Sequence, residues 1–318
     1  MRTKHKQLFV LSVLVIGLVA FWLEPGGRLR GRLQGEAFFQ GYPVHYWQRQ
    51  LQSSDPVVVE TTRAELAAGR RSATAVLRAL LVARSTGNWD TSTSRCTAAE
   101  ILTAIGEEAA AAGDDVIRTL ADSDTYLQRI AAGAVPAVGV PASQGVPALL
   151  ELLQRERSVE VLRALSEYGG EAQPALTELS QVLRDRSIPT EVRWNAARTI
   201  GKVRENAVST VPLLVEHLQD DEATVREHSA EALGDIGPPA AASVPALVAI
   251  LTDKATRVRR DAVRSLGQIG PAAQPAVPDI LKLLKDSEPI VQQAARTALQ
   301  TLAPDQLPKP ENEDPATP

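Results

Sequence analysis

With 318 residues, 44% of them hydrophobic, and a net charge of −4, the chain can bury a large core but lacks the basic balance of a nucleic-acid ligand. Its single cysteine, Cys96, excludes an intramolecular disulfide and leaves the redox compartment open. Aromatic residues make up only 4% of the chain, so Ala, Leu and Val have to fill the core.

Residues 1–7 form a short basic N-terminus with Arg2, Lys4 and Lys6, followed by LFVLSVLVIGLVAFWL, sixteen uncharged residues from Leu8 to Leu23. As a helix this segment measures about 24 Å, a little short of the roughly 30 Å hydrocarbon layer. Small residues are missing at the −3 position of the candidate cleavage sites, where Leu18 precedes Ala20 and Pro25 precedes Gly27. The segment 8–23 is therefore expected to be an uncleaved transmembrane signal anchor, with a cleaved signal peptide as the alternative. A short positive N-terminus tends to stay in the cytoplasm, which makes this a single-pass membrane protein with its remainder on the extracytoplasmic, periplasmic side. Against that orientation, Arg28, Arg30 and Arg32 balance the charge on the other flank.

Residues 24–41 read as a linker. Five of the chain's aromatics, Phe38, Phe39, Tyr42, Tyr46 and Trp47, then cluster ahead of a repeat array over 42–302. A terminal repeat lacks a neighbour on one side, so the cluster is expected to cap it; an aromatic ligand cage is the alternative.

The array shows itself most clearly downstream. VRWNAARTIGKV from Val192, VREHSAEALGDIG from Val225, VRRDAVRSLGQIG from Val258 and VQQAARTAL from Val291 start 33 residues apart, as do the pairs Val211-Pro212, Val244-Pro245 and Val277-Pro278. Weaker copies lie near Pro56 and end at Gly106, Gly139 and Gly169. A fixed period of this length means stacked units that bury their apolar faces against one another. Within a unit, Val244, Leu247, Ile250 and Leu251, then Val258, Ala262, Leu266 and Ile269, have helical spacing, so each unit holds two amphipathic helices. Pro245 suits the first turn of the first helix, and Gly237 and Gly270 suit the end of the second. Gly234 and Gly267 would each cost about 1 kcal/mol relative to Ala inside a helix, which points to close helix packing there. The tail 303–318, rich in Pro and acidic residues, reads as disordered.

The pattern Asp-x5-Arg recurs as Asp220 with Arg226 and Asp253 with Arg259, and decays to Asp286 with Gln292. On these residues the chain resembles the HEAT-repeat family, in the subset described as bilin-lyase-like. The GYPVHYW opening is similar to those that precede such arrays in bacterial, membrane-anchored proteins. The resemblance implies an all-α fold, a right-handed α-solenoid superhelix of about seven or eight helical hairpins behind an N-terminal transmembrane helix. It also implies that the Asp and Arg residues form a structural ladder between repeats. Tetratricopeptide and ankyrin repeats fit poorly, lacking here their aromatic landmarks and TPLH turn.

Enzymatic chemistry finds little to work with. A di-iron hydroxylase of this architecture needs several His-Glu pairs, whereas the histidines are His5, His45, His217 and His228, the last two following Glu216 and Glu227. No G-x-S-x-G, P-loop, dinucleotide fingerprint or Cys-x-x-Cys is present, and no base is evident for Cys96. No cofactor, metal or catalytic residue is assigned. Function is expected on the second helices, which line the concave face in such arrays. Two residues after each repeat valine stand Trp194, Glu227, Arg260 and Gln293; six after stand Arg198, Glu231, Arg264 and Thr297. Varied residues over an invariant scaffold suit a protein-binding surface, though Arg198, Glu231 and Arg264 equally suit surface ion pairs worth under about 1 kcal/mol each. The candidate partner-binding residues are Trp194, Arg198, Glu227, Glu231, Arg260 and Arg264. The reading is a membrane-tethered, non-catalytic scaffold that binds a protein and no nucleic acid. The alternatives are a cofactor-binding accessory factor or lyase-like enzyme, and a plain structural spacer.

Overall fold

The computed structural model describes residues 24, 26–84 and 91–307. By its internal contacts the chain divides into residues 1–148 and 149–318, with α8 (Ala142–Arg155) holding residues of both.

The first unit opens on α1 (Arg28–Leu33) and an antiparallel hairpin of β1 (Phe38–Phe39) and β2 (Tyr42–Pro43), in which Phe38 faces Pro43 and Phe39 faces Tyr42. Within the stretch read as a linker, Arg28–Leu33 is thus helical and Phe38–Phe39 a strand. Its hairpin delivers the aromatic cluster onto α2 (Val44–Leu51): Phe39 and Trp47 lie 5.3 Å apart, Tyr42 stacks on Tyr46 at 4.1 Å, and Trp47 Nε1 donates to the Tyr42 carbonyl at 3.3 Å. Trp47 is 2% exposed, so the rings pack on one another and leave no open cage. Behind them follow α3 (Pro56–Ala68), α4 (Thr74–Leu81), α5 (Ser92–Ile105), α6 (Gly113–Thr119) and α7 (Thr125–Ala137).

The second unit contains α9 (Val159–Glu167), α10 (Leu176–Arg184), α11 (Thr190–Lys202), α12 (Val211–His217), α13 (Ala223–Ile236), α14 (Val244–Ala249), α15 (Thr256–Ile269), α16 (Val277–Lys282) and α17 (Pro289–Leu302). The second helices α11, α13, α15 and α17 pack directly on one another in series. Pro212, Pro245 and Pro278 occupy the first turn of the first helices, where a missing N–H costs nothing. These first helices are shorter than the apolar spacing implied, because 3-10 turns such as Pro238–Ser243 and Ile250–Thr252 take up their flanks. Gly237 and Gly270 end α13 and α15 at φ 77° with ψ near −144° and −141°, a region open essentially to glycine alone. Gly201 and Gly267 permit close approach: a Cβ on either would come within 2.8 Å of Ala232 Cα or 3.0 Å of Ala298 Cα. Leu233, Leu266, Leu299 and Ile200 are fully buried between these helices.

A ladder of ion pairs runs beside the core. Arg226 Nε and Nη2 donate to both oxygens of Asp253, 27 residues on, at 2.8 and 3.0 Å, and Arg259 repeats this with Asp286 at 2.8 Å for each bond. Arg193 with Asp220, and Arg95 with Asp122 in the first unit, pair at the same 27-residue spacing but turn Nε to the carbonyls of Leu183 and Leu81, so that only the terminal nitrogens meet the carboxylate. Within one repeat the Asp-x5-Arg link is made by the main chain: Arg226 Nη1 donates to the Asp220 carbonyl at 2.7 Å, and Arg259 Nη1 to that of Asp253 at 2.9 Å. Gln292 keeps this link, Nε2 to the Asp286 carbonyl at 2.6 Å. Each ladder Asp also receives a main-chain N–H at the start of the following helix, as Asp253 does from Ala255 at 2.8 Å.

The membrane reading is corrected. Among the described residues no helix is long and apolar enough to cross a membrane. The longest reach fourteen residues, about 21 Å, and bury one face in the repeat core. Leu8–Leu23, on which the single-pass, extracytoplasmic placement rested, lies outside the described residues, as does 308–318 of the tail. The start of that tail, Pro304–Gln306, is a 3-10 turn after α17.

Candidate functional site

The ladder fixes the rotation of the second helices and thereby decides which side chains they display. Arg193, Arg226 and Arg259 point into it, so the residue after each, Trp194, Glu227 and Arg260, is turned onto the second-helix face. One turn further along stand Arg198, Glu231 and Arg264.

The structure draws four of these six candidates into two clusters and leaves Arg198 and Arg264 unpaired among the described residues. Trp194 is half-buried and its ring stacks on His228 from α13, centroids 4.5 Å apart and planes 22° apart. His228 Nδ1 in turn lies 2.8 Å from Glu231 Oε2. That hydrogen bond, assisted by the charges of His228, Lys202 and Arg198, outweighs burial and holds the Glu231 carboxyl below its ordinary range. The aromatic is therefore neither core nor freely solvated: one face is covered by an imidazole whose orientation a carboxylate sets.

The second cluster centres on Arg260. Its Nε and Nη2 meet Asp261 at 2.9 and 2.7 Å, and Nη2 lies 3.3 Å from Glu227 Oε1. Glu227, placed by the sequence at a solvent-facing position, is 7% exposed, because the Arg260 guanidinium closes over it. Burial pushes the Glu227 carboxyl up from its ordinary value, while the Asp261 hydrogen bonds push Arg260 up. The surface ion pairs weighed along the column Arg198, Glu231 and Arg264 do not form: Glu231 engages His228, and Arg198 and Arg264, both exposed, make no hydrogen bond or ion pair among the described residues. Lys202 and Asp235 do pair across α11 and α13 at 2.7 Å.

Sequence reasoning missed His228, Asp261, Lys202 and Asp235. His228 had a legible signal in Glu231 three residues on, a spacing that puts both side chains on one helix face.

The residues considered for chemistry are accounted for structurally. His217 is buried with Nδ1 2.9 Å from the Leu213 carbonyl. Cys96 is 7% exposed, and burial raises its thiol above the usual range, the opposite of what activates a nucleophile. Among the described residues no group of three His, Cys, Asp or Glu side chains could hold a metal ion.

A family profile described as HEAT repeats matches residues 176–244 and 212–300. Kap121p bound to Nup53p superposes on 82% of this chain and 33% of its own length at 12% identity, TM-score 0.58. The Kap121p mutant D353K/E396K/D438K does so over 81% and 33% at 12% identity, TM-score 0.60. The Kap95:Nup1 complex covers 81% and 44% at 14% identity, TM-score 0.52. The chain thus spans between a third and a half of these proteins, 33% to 44% of their length, and at such identities the likeness concerns the fold alone. No curated protein matches the chain. Residues 176–300 thus match HEAT repeats, and the chain shares the stacked helical-hairpin fold of those proteins.

Proposed function

We propose that the second-helix face of α11, α13 and α15 binds a partner protein, and that the chain works as a non-catalytic scaffold. The observation that carries this reading is Trp194, half-buried and held against His228 at 4.5 Å, with Arg198, unpaired among the described residues, one turn away. Interface hot spots are enriched in Trp and Arg, and a side chain already held in place loses little entropy when a partner arrives. The Kap121p and Kap95 structures were solved with bound Nup53p and Nup1, which agrees with this use of the fold. The bilin-lyase-like alternative draws no support from the polar cluster, since Arg260, Glu227 and Asp261 satisfy one another.

Trp194→Ala tests the proposal. A partner recovered with the wild-type chain and then titrated in purified form should bind the variant about thirtyfold more weakly, roughly 2 kcal/mol. The thermal midpoint should stay within a few degrees. A stability loss of about 3 kcal/mol with unchanged affinity would make Trp194 a packing residue and remove the main support for the face.

A further inference from the structure

Between α15 and α17 the second-helix face opens into a groove of about 750 Å³, within the size range of ligand sites. One wall carries Arg260, Arg264 and Gln268, the other Ile290, Gln293 and Thr297. Gly267 and Ala298 line it between the walls, where the two helices come close.

The charges on the two walls are unequal. Arg260 is engaged by Asp261 and Glu227, whereas Arg264 is exposed and makes no hydrogen bond or ion pair among the described residues. The facing wall, on α17, offers an amide, a hydroxyl and the aliphatic side chain of Ile290, which is 51% exposed. An uncompensated guanidinium favours a carboxylate, with which it can form paired hydrogen bonds. The carboxamides of Gln268 and Gln293 each donate and accept, as the main chain of an extended peptide requires. Ile290 offers apolar contact beside them. The carboxylates of Glu227, Glu231 and Asp261 nearby disfavour a polyphosphate strand.

We infer that this groove takes an extended segment of a partner protein bearing an Asp or Glu next to an aliphatic residue, with the carboxylate on Arg264. This deepens the proposed function and rests on it, since it assigns one binding mode to the same face.

The experiment is selection of a random-peptide display library on the full-length chain, with enriched peptides then synthesised and titrated. Peptides with a carboxylate beside an aliphatic residue should be enriched. Arg264→Glu should weaken them by about tenfold or more, and Arg264→Lys by less. Arg264 is exposed, so both variants should keep the wild-type circular dichroism. Enrichment without acidic residues, or binding indifferent to Arg264→Glu, overturns the inference. If such indifferent peptides are lost in Trp194→Ala, the partner-binding face stands and only the groove assignment falls; if neither exchange matters, both fall. Acidic peptides that bind only after removal of residues 308–318, which include Glu311, Glu313 and Asp314, would make the chain's own tail the occupant and end the partner reading.

Discussion

Replacing Arg226 by Ala removes a whole rung of the ladder. The guanidinium makes two bonds to Asp253, at 2.8 and 3.0 Å, and two to the carbonyls of Asp220 and Asp221, at 2.7 and 3.1 Å. The two side chains are only 9% and 11% exposed, so solvent screens the pair little. After the exchange the Asp253 carboxylate keeps the Ala255 N–H and loses its counter-charge. Breaking a buried pair from one side costs about 3–5 kcal/mol. Arg70→Ala is the control: Arg70 pairs with Glu108 with side chains 68% and 46% exposed, and its loss should cost less than about 1 kcal/mol. The pH dependence supplies a second readout. Burial alone raises the Asp253 carboxyl, but the Arg226 hydrogen bonds, the Ala255 N–H and the Arg226 charge outweigh it and hold it below the ordinary value. A folded-state value below the unfolded one, about 3.9, means the ionised rung contributes stability above that pH and loses it as pH falls through the folded value. In Arg226→Ala burial is left without its main opponent. The gap between variant and wild type should therefore be widest near neutrality and shrink below about pH 4. Urea unfolding followed by far-UV circular dichroism at several pH values measures it. A neutral-pH loss under about 1 kcal/mol, or a gap independent of pH, would refute the ladder as a stabilising element.

Two further predictions concern packing. Leu233→Ala or Leu266→Ala, both at 0% exposed positions, should each cost about 2–5 kcal/mol in the same assay, and a loss below about 0.5 kcal/mol would mean the repeat register is wrong. Gly201→Ala and Gly133→Ala should move stability in opposite directions. A Cβ at Gly201 comes within 2.8 Å of Ala232 Cα, so overpacking of about 1–3 kcal/mol outweighs the helix-propensity gain; at Gly133 nothing lies within 4 Å and about 1 kcal/mol should be gained. A stabilised Gly201→Ala would show that the α11 and α13 backbones can part at no cost.

The 33-residue period and its helical apolar spacing were enough to read the hairpins downstream of Val192, since both depend on local order along the chain. The partner of Arg226 was harder to see. Asp220 is near in sequence but contributes its carbonyl, while the carboxylate comes from Asp253 in the next repeat, which only the stacking reveals. The stack of Trp194 on His228 was hidden for the same reason, as it depends on how far α13 is rotated against α11. Glu227 was misplaced at the surface because helix position says nothing of Arg260 folding over it. The 24–41 stretch looked like a linker because its hairpin is held by aromatic packing against α2, with little periodicity of its own to read.

The ladder also explains how the second-helix face can differ from repeat to repeat at little structural cost. Arg193, Arg226, Arg259 and Gln292 each hold a main-chain carbonyl, that of Leu183, Asp220, Asp253 or Asp286, and so fix the helix on which they stand. The residue after each, Trp194, Glu227, Arg260 or Gln293, is delivered to a set place without having to secure the backbone itself. Aromatic, acidic, basic and amide side chains then succeed one another at one structural position. The freedom is not uniform, because Glu227 and Arg260 are tied to each other, whereas Arg198 and Arg264, one helical turn on, make no such bond among the described residues. A charge reversal at Arg264 removes no buried partner, so a change in binding there should come free of a folding defect. For that reason Arg264 and Trp194 are the exchanges that can separate recognition from stability in this fold.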